Sequence, residues 1–170
     1  FGAPDGLLIR NVGINPTRTG LLTILQEMGG RIELRNLRDC GAEPVVDLFV
    51  IQSDLVGIEM DPALVPLAID EFPVLFIAAA KARGRTVVSG AEELREKESD
   101  RLSVMVEGLR TLGVTVEEFE DGLSIEGGGL FGGRVNSYGD HRVAMAFAIA
   151  GMDAGGPIEI LRTAEVSTSF

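Results

Sequence analysis

Twice in this chain a charged entrance leads straight into a run that is apolar on every side of a helix. Asp70-Glu71-Phe72-Pro73 leads into Val74–Ala80, and Asp140-His141-Arg142 leads into Val143–Ala150, 70 residues further on. A helix with no polar face cannot lie against water and must be surrounded by protein. Pro73 is tolerable there, because the N–H groups of a first turn have no intrahelical partner. Each buried helix leads into a β-prone run, Thr86–Ser89 and Pro157–Leu161. A second pair of matches frames the first. Leu21, Leu22, Leu25 and Met28 mark one amphipathic helix, and Leu102, Met105, Val106, Leu109 and Leu112 another. Each is stopped by a glycine and followed by a short β-prone run, Gly30-Arg31-Ile32-Glu33 and Val114-Thr115-Val116-Glu117. The unit therefore reads amphipathic helix, strand, hairpin-like strands, buried helix, strand. Unit one covers residues 15–90, unit two 95–162, and a third begins near 163. These units are too long for a solenoid of small repeats. The expected class is α/β of the α+β type, with sheets outside and buried helices inside.

Composition narrows the function. Acidic side chains outnumber basic ones, 26 to 15, for a net charge of −11. That balance argues against a general nucleic-acid surface, which needs a basic excess to neutralise phosphates. Cys40 is the only cysteine, so no internal disulfide forms, and it lacks the Cys and His companions of a metal site. Apolar runs such as Val74–Ala80 fall short of the ~20 residues that span a bilayer. No secretory signal opens the sequence, and a reduced cytoplasmic setting is expected. Both ends, Phe1-Gly2-Ala3-Pro4 and Ser169-Phe170, read as cut, so residues 1–170 are expected to be one domain of a longer protein.

Most charge reads as solvated, including Glu117–Asp121 and Glu92-Glu93, but two clusters do not. In Lys97-Glu98-Ser99-Asp100-Arg101, a helix would put Lys97 and Arg101 on one face, a like-charge pairing that costs roughly 0.2–0.5 kcal/mol without an anion between them. A surface ion network and an anion clamp both fit, and a helix N-terminus itself favours anions. In Asp140-His141-Arg142, Asp140 reads as an N-cap and no more. His141, the only histidine, reads either as a hydrogen-bonded structural residue or as a titrating group near neutral pH. All these charges fall at helix entrances, as does Asp70. Gathered on one rim, they would make an acid/base site for an anionic substrate.

Ile69-Asp70-Glu71-Phe72-Pro73, Leu94–Arg101 and Gly139–Met145 occur in the order and at about the spacing of three signatures of the 5-enolpyruvylshikimate-3-phosphate synthase family, and Asn15–Gly20 extends the likeness. The chain resembles most of that family's C-terminal domain, from 1 to 170, with the third unit truncated. The resemblance implies three βαβαββ units per domain in a barrel-like, inside-out arrangement. It also implies an N-terminal domain, outside this sequence, that supplies further substrate contacts. The implied reaction moves the enolpyruvyl group of phosphoenolpyruvate to the 5-hydroxyl of shikimate 3-phosphate, with no metal or organic cofactor.

By position, the resemblance implies that Asp70 contacts the accepting hydroxyl and takes part in proton transfer, and that Lys97 lies near the shikimate hydroxyls. It implies that Glu98 exchanges a proton with the methylene carbon, that Arg101 and Arg142 grip phosphoenolpyruvate, and that His141 lies near its phosphate. Unlike many family members, the stretch Thr163–Phe170 has no lysine. An enolpyruvyl transferase acting on UDP-N-acetylglucosamine and a non-catalytic binding module are the alternatives. An anion site on so acidic a chain is expected to be locally positive.

Overall fold

The computed structural model describes residues 5–41 and 43–169; Phe1–Pro4 and Phe170, which the sequence analysis reads as cut ends, lie outside them. Among the described residues eight strands and five α-helices follow one another in mixed order. They are β1 (Leu7–Gly13), α1 (Gly20–Glu27), β2 (Arg31–Cys40), β3 (Glu43–Ile51), α2 (Val65–Ala68), α3 (Phe72–Lys81), β4 (Gly84–Val88), α4 (Arg101–Thr111), β5 (Thr115–Glu118), β6 (Leu123–Gly127), β7 (Gly133–Asn136), α5 (His141–Gly151) and β8 (Ile158–Leu161).

The pairing shows how the units interlock. The antiparallel sheets run β1-β3-β2 and β4-β6-β5, and β7 pairs with β8 in parallel. The segment before α2 makes a similar parallel contact, bridging Val56 to Arg83 just ahead of β4 and Glu59 to Val87 within it. Each hairpin thus borrows the strand that closes the preceding unit: β3 takes β1, and β6 takes β4. Near the ends of β1, β4 and β8 the chain turns through a left-handed residue, Asn11 (φ 59°), Gly90 (φ 69°) and Arg162 (φ 59°). A short 3-10 helix follows each, at Pro16–Arg18, Glu92–Glu96 and Ala164–Thr168. Among the described residues β8 pairs only with β7, so the sheets do not close into a barrel.

The helices form where the periodicity puts them. In α4 the positions Leu102, Met105, Val106 and Leu109 are buried, and Leu112 at its end is too. Gly113 stops this helix at φ 83°, and Gly29 stops α1 at φ 93°, a left-handed conformation that other residues reach only at a cost. The apolar run read as Val74–Ala80 belongs to a helical stretch of 20 residues, Pro62–Lys81, long and apolar enough by composition to cross a bilayer. Here it is broken by the 3-10 turn Ile69–Glu71, and α3 packs on α5 and β6 with Phe72, Leu75, Phe76 and Ile77 buried.

Helix α5 departs from its pattern. Phe147 and Val143 are buried, but Ala148, Ile149 and Met152 are exposed and Met145 is half-buried, a stripe at helical spacing. It continues past half-buried Val74 into an apolar groove lined by Leu21, Leu25, Ile32 and Val50. The sheet of unit two is well covered by α3 and α4, whereas among the described residues the sheet of unit one meets helices more sparsely, chiefly α1 through β2.

One carboxylate fastens two irregular strands. β1 and β2 both shift register opposite β3, between Ile9 and Val12 and between Arg35 and Arg38. At these bulges Asn11 (φ 59°) and Asn36 (φ 53°) are left-handed. Asp47 of β3 accepts from the Asn36 side chain at 2.9 Å, the Asn11 N–H at 3.0 Å and Arg38 at 2.9 Å. The Asn36 hydrogen bond, then those of Asn11 and Arg38, hold its carboxyl well below the usual carboxylate range. A depressed folded pKa stabilises the protein above the unfolded value of about 3.9, and that contribution drains away as pH falls below it. The gap in Tm between wild type and Asp47→Asn is therefore expected to be widest near neutral pH and to shrink in melts toward pH 3. A gap independent of pH would refute the assignment.

Candidate functional site

Three helix entrances converge. Asp70 sits in the 3-10 turn before α3, Glu98 and Arg101 at the start of α4, and His141 and Arg142 in the first turn of α5. The last two turns are fixed by aspartates. Asp100 accepts from the Ser103 N–H at 3.0 Å, and Asp140 accepts from the N–H groups of Arg142 (2.9 Å) and Val143 (3.2 Å). At α3 the residue in the cap position is Glu71, with no capping hydrogen bond, so Asp70 is free of that duty.

Arg101 is the centre. Its side chain is 1% exposed, and a buried guanidinium persists only when paired. Nε donates to Asp140 Oδ2 at 2.8 Å, and Nη2 donates to Glu98. Nη1 is buried without a hydrogen bond among the described residues, 3.7 Å from Asp70 Oδ1. Arg142 donates through Nη1 to the Asp70 carbonyl at 2.9 Å and lies 3.7 Å from its carboxylate and 3.6 Å from that of Glu71. Asp70 thus stands between the two arginines. Beside it a groove of about 480 Å³ runs from Asp70 and Arg142 along Val74, Met145 and Ile149 to Val166.

The electrostatics follow from the pairing. Burial pushes the Asp140 carboxyl up, but the hydrogen bond and charge of Arg101 outweigh it and hold it below the usual range. Burial lifts Glu71 above the ordinary glutamate value despite Arg142. In the ion-pair cluster the carboxylates of Asp70, Glu71, Glu98 and Asp140 lie against Arg101 and Arg142, with Arg18 a further cation acting on Glu71. The cations are already neutralised by their own carboxylates.

Several readings from the sequence change here. Lys97 and Arg101 do not share a helix face, because α4 starts at Arg101; Lys97 pairs instead with Glu93, in the 3-10 helix before it. The signal was present, since Ser99-Asp100 before an apolar-periodic run marks an N-cap. His141 is half-buried and its side chain makes no hydrogen bond among the described residues. Asp140 is more than a cap, because it also holds Arg101. Glu117–Asp121 is not simply solvated. Arg95 donates to the carbonyls of Phe119 and Glu120 and to the side chains of Asp100, Ser103 and Glu118, which ties down the loop bearing Lys97 and Glu98. Nothing local in the sequence marks Arg95, whose partners lie up to 25 residues away. No group of three or more His, Cys, Asp or Glu side chains among the described residues is placed to hold a metal ion.

The comparisons with known proteins agree with one another. The family model described as EPSP synthase (3-phosphoshikimate 1-carboxyvinyltransferase) matches residues 3–170. A 3-phosphoshikimate 1-carboxyvinyltransferase of Acidithiobacillus ferrooxidans is 62% identical over 96% of this chain, and one of Legionella pneumophila 60% over 98%. An EPSP synthase structure from Acinetobacter baumannii superposes with a TM-score of 0.94 at 49% identity, covering 97% of this chain and 39% of the other. An enolpyruvyl transferase from Streptomyces tendae, at 18% identity, has a TM-score of 0.72 over 97% of this chain and 36% of its own, a likeness of fold alone. The chain spans only 38–39% of the length of these two curated relatives.

Proposed function

The chain belongs to the EPSP synthase family, and on that premise we propose that it is most of the C-terminal domain of a two-domain enzyme that transfers the enolpyruvyl group of phosphoenolpyruvate to the 5-hydroxyl of shikimate 3-phosphate and releases phosphate. The observation that carries the reading is the meeting of Asp70, Glu98, Arg101 and Arg142 from three helix entrances in one cluster. The exposed stripe on α5 and the groove beside α1 support a third unit packing there, and the greater length of the relatives leaves room for it.

Arg101 and Arg142 grip the anionic donor, with His141 near its phosphate. The buried Nη1 is a donor in want of an acceptor, and Nη2 joins it once Glu98 lets go, which presents a fork to a carboxylate or phosphate. The same displacement frees the Glu98 carboxylate, which takes up a proton from water and passes it to the methylene carbon. Asp70 takes the proton of the attacking hydroxyl, and Lys97 holds the shikimate hydroxyls. Addition gives a tetrahedral intermediate. Glu98 then removes a proton from the new methyl group, and phosphate leaves. A fixed carboxylate stabilises the positive charge that develops on protonating an enol ether, and the arginines spare the transition state the cost of gathering its charges. The carboxylate excess leaves the cluster short of cations for two phosphorylated reactants, and the N-terminal domain supplies the rest on closing, as it excludes water. A reducing, cytoplasmic setting fits the exposed free thiol of Cys40.

The test is phosphate release by the two-domain protein from phosphoenolpyruvate with shikimate 3-phosphate, and with UDP-N-acetylglucosamine as comparator acceptor. Release with the first acceptor alone is expected, with none above background from residues 1–170 by themselves. Release only with the second acceptor would overturn the substrate assignment. Turnover by the isolated chain that Glu98→Ala abolishes would overturn the need for a second domain.

A further inference from the structure

We propose that Asp140 is a positioning residue that sets Arg101 and Arg142 together for a single anion, an inference that rests on reading this face as the phosphoenolpyruvate site. A helix cap needs one carboxylate oxygen, and Oδ1 does that work by accepting from the N–H groups of Arg142 (2.9 Å) and Val143 (3.2 Å). Oδ2, in a side chain that is 0% exposed, would be left without a donor by capping alone. It accepts instead from Arg101 Nε at 2.8 Å and from Ser99 Oγ at 3.1 Å. One carboxylate group thus orients the start of α5, which carries Arg142, and the guanidinium at the start of α4.

The geometry of a planar guanidinium explains why this matters. Once Nε is held by Asp140, the plane of the group is fixed, and Nη1 and Nη2 can only point toward Asp70 and Glu98. When an incoming anion displaces Glu98, Asp140 is the partner that remains. Without it the buried Nε–H would lose its acceptor, and the guanidinium would turn toward another, such as Asp70 at 3.7 Å. Asp140 touches no substrate in this arrangement and acts only through the two arginines.

Two variants separate this role from capping. Asp140→Asn keeps an oxygen for the cap but turns an amide donor toward the Nε–H donor. Asp140→Ser keeps a good cap that is too short to reach Arg101, and it serves if the asparagine variant does not fold. Asp47→Asn, in the sheet β1-β3-β2, is the control for a loss of stability alone. In the two-domain protein, either Asp140 variant is expected to raise KM for phosphoenolpyruvate by ~10-fold or more while KM for shikimate 3-phosphate stays within about twofold, the scale of losing one charged hydrogen bond. Isothermal titration of phosphoenolpyruvate should show the same loss of affinity without needing turnover, and Asp47→Asn should show neither. Asp140 variants that lose Tm as Asp47→Asn does, with KM and Kd for phosphoenolpyruvate unchanged, would reduce Asp140 to a cap. If the wild type binds phosphoenolpyruvate but does not transfer it to shikimate 3-phosphate, the titration still decides Asp140 while the substrate reading fails. A wild type that does not bind phosphoenolpyruvate overturns both.

Discussion

Replacing Phe147 with alanine is expected to lower stability by about 3–5 kcal/mol in urea unfolding, the range for deleting a buried aromatic ring. The ring is 0% exposed on α5 and presses its tip against α4, where a Cβ added at Gly108 would stand 2.2 Å from its Cζ. No other residue lets the two helices approach so closely at that point. The pair therefore carries a sign reversal. Gly108→Ala should destabilise the wild type by overpacking, yet it should be neutral or helpful beside Phe147→Ala, where the methyl enters the cavity. A loss below about 1 kcal/mol for Phe147→Ala would place α5 at the surface.

Glu98→Gln in the two-domain protein is expected to lower kcat by about 10²–10⁴-fold, the usual worth of a general acid–base group. Glutamine keeps an oxygen for the Arg101 guanidinium but cannot exchange a proton with carbon. The Glu98 side chain is 52% exposed, so Tm should hardly move. Glu98→Ala removes the oxygen as well and leaves Arg101 with Asp140, so it should lose as much turnover as the glutamine variant. Retention of more than about a tenth of kcat by Glu98→Gln would take the proton transfer away from this residue.

What the sequence shows and what it hides divide along contact distance. The helices α3, α4 and α5 follow from apolar spacing that lies within each helix, and the glycine stops of α1 and α4 are local too. The repeat is legible because Asp70 and Asp140 head equivalent helices. The charges of the site are legible one by one, at helix starts. Their partnerships are not, since Arg101 meets Asp140 39 residues away and Arg142 meets the Asp70 carbonyl across 72. The shared helix face read for Lys97 and Arg101 fails for a local reason: a like-charge spacing outweighed the cap signal of Asp100. The open stripe on α5 is hidden for the opposite reason. Its residues look like core, and only the packing shows that nothing within the described residues covers them.

The borrowing of strands between units has a consequence for how the domain comes apart. In a solenoid each repeat completes its own sheet and can fray from an end while its neighbours hold. Here the sheet of unit two cannot form until β4 of unit one is in place, and β3 needs β1, contributed from ahead of its own unit. Unfolding either unit strips a strand from the other's sheet or the floor from its buried helix. Denaturation should then follow a single cooperative transition, and folding should be paced by pairing strands some 40 residues apart, as Leu7 with Val50 and Val88 with Leu123 require.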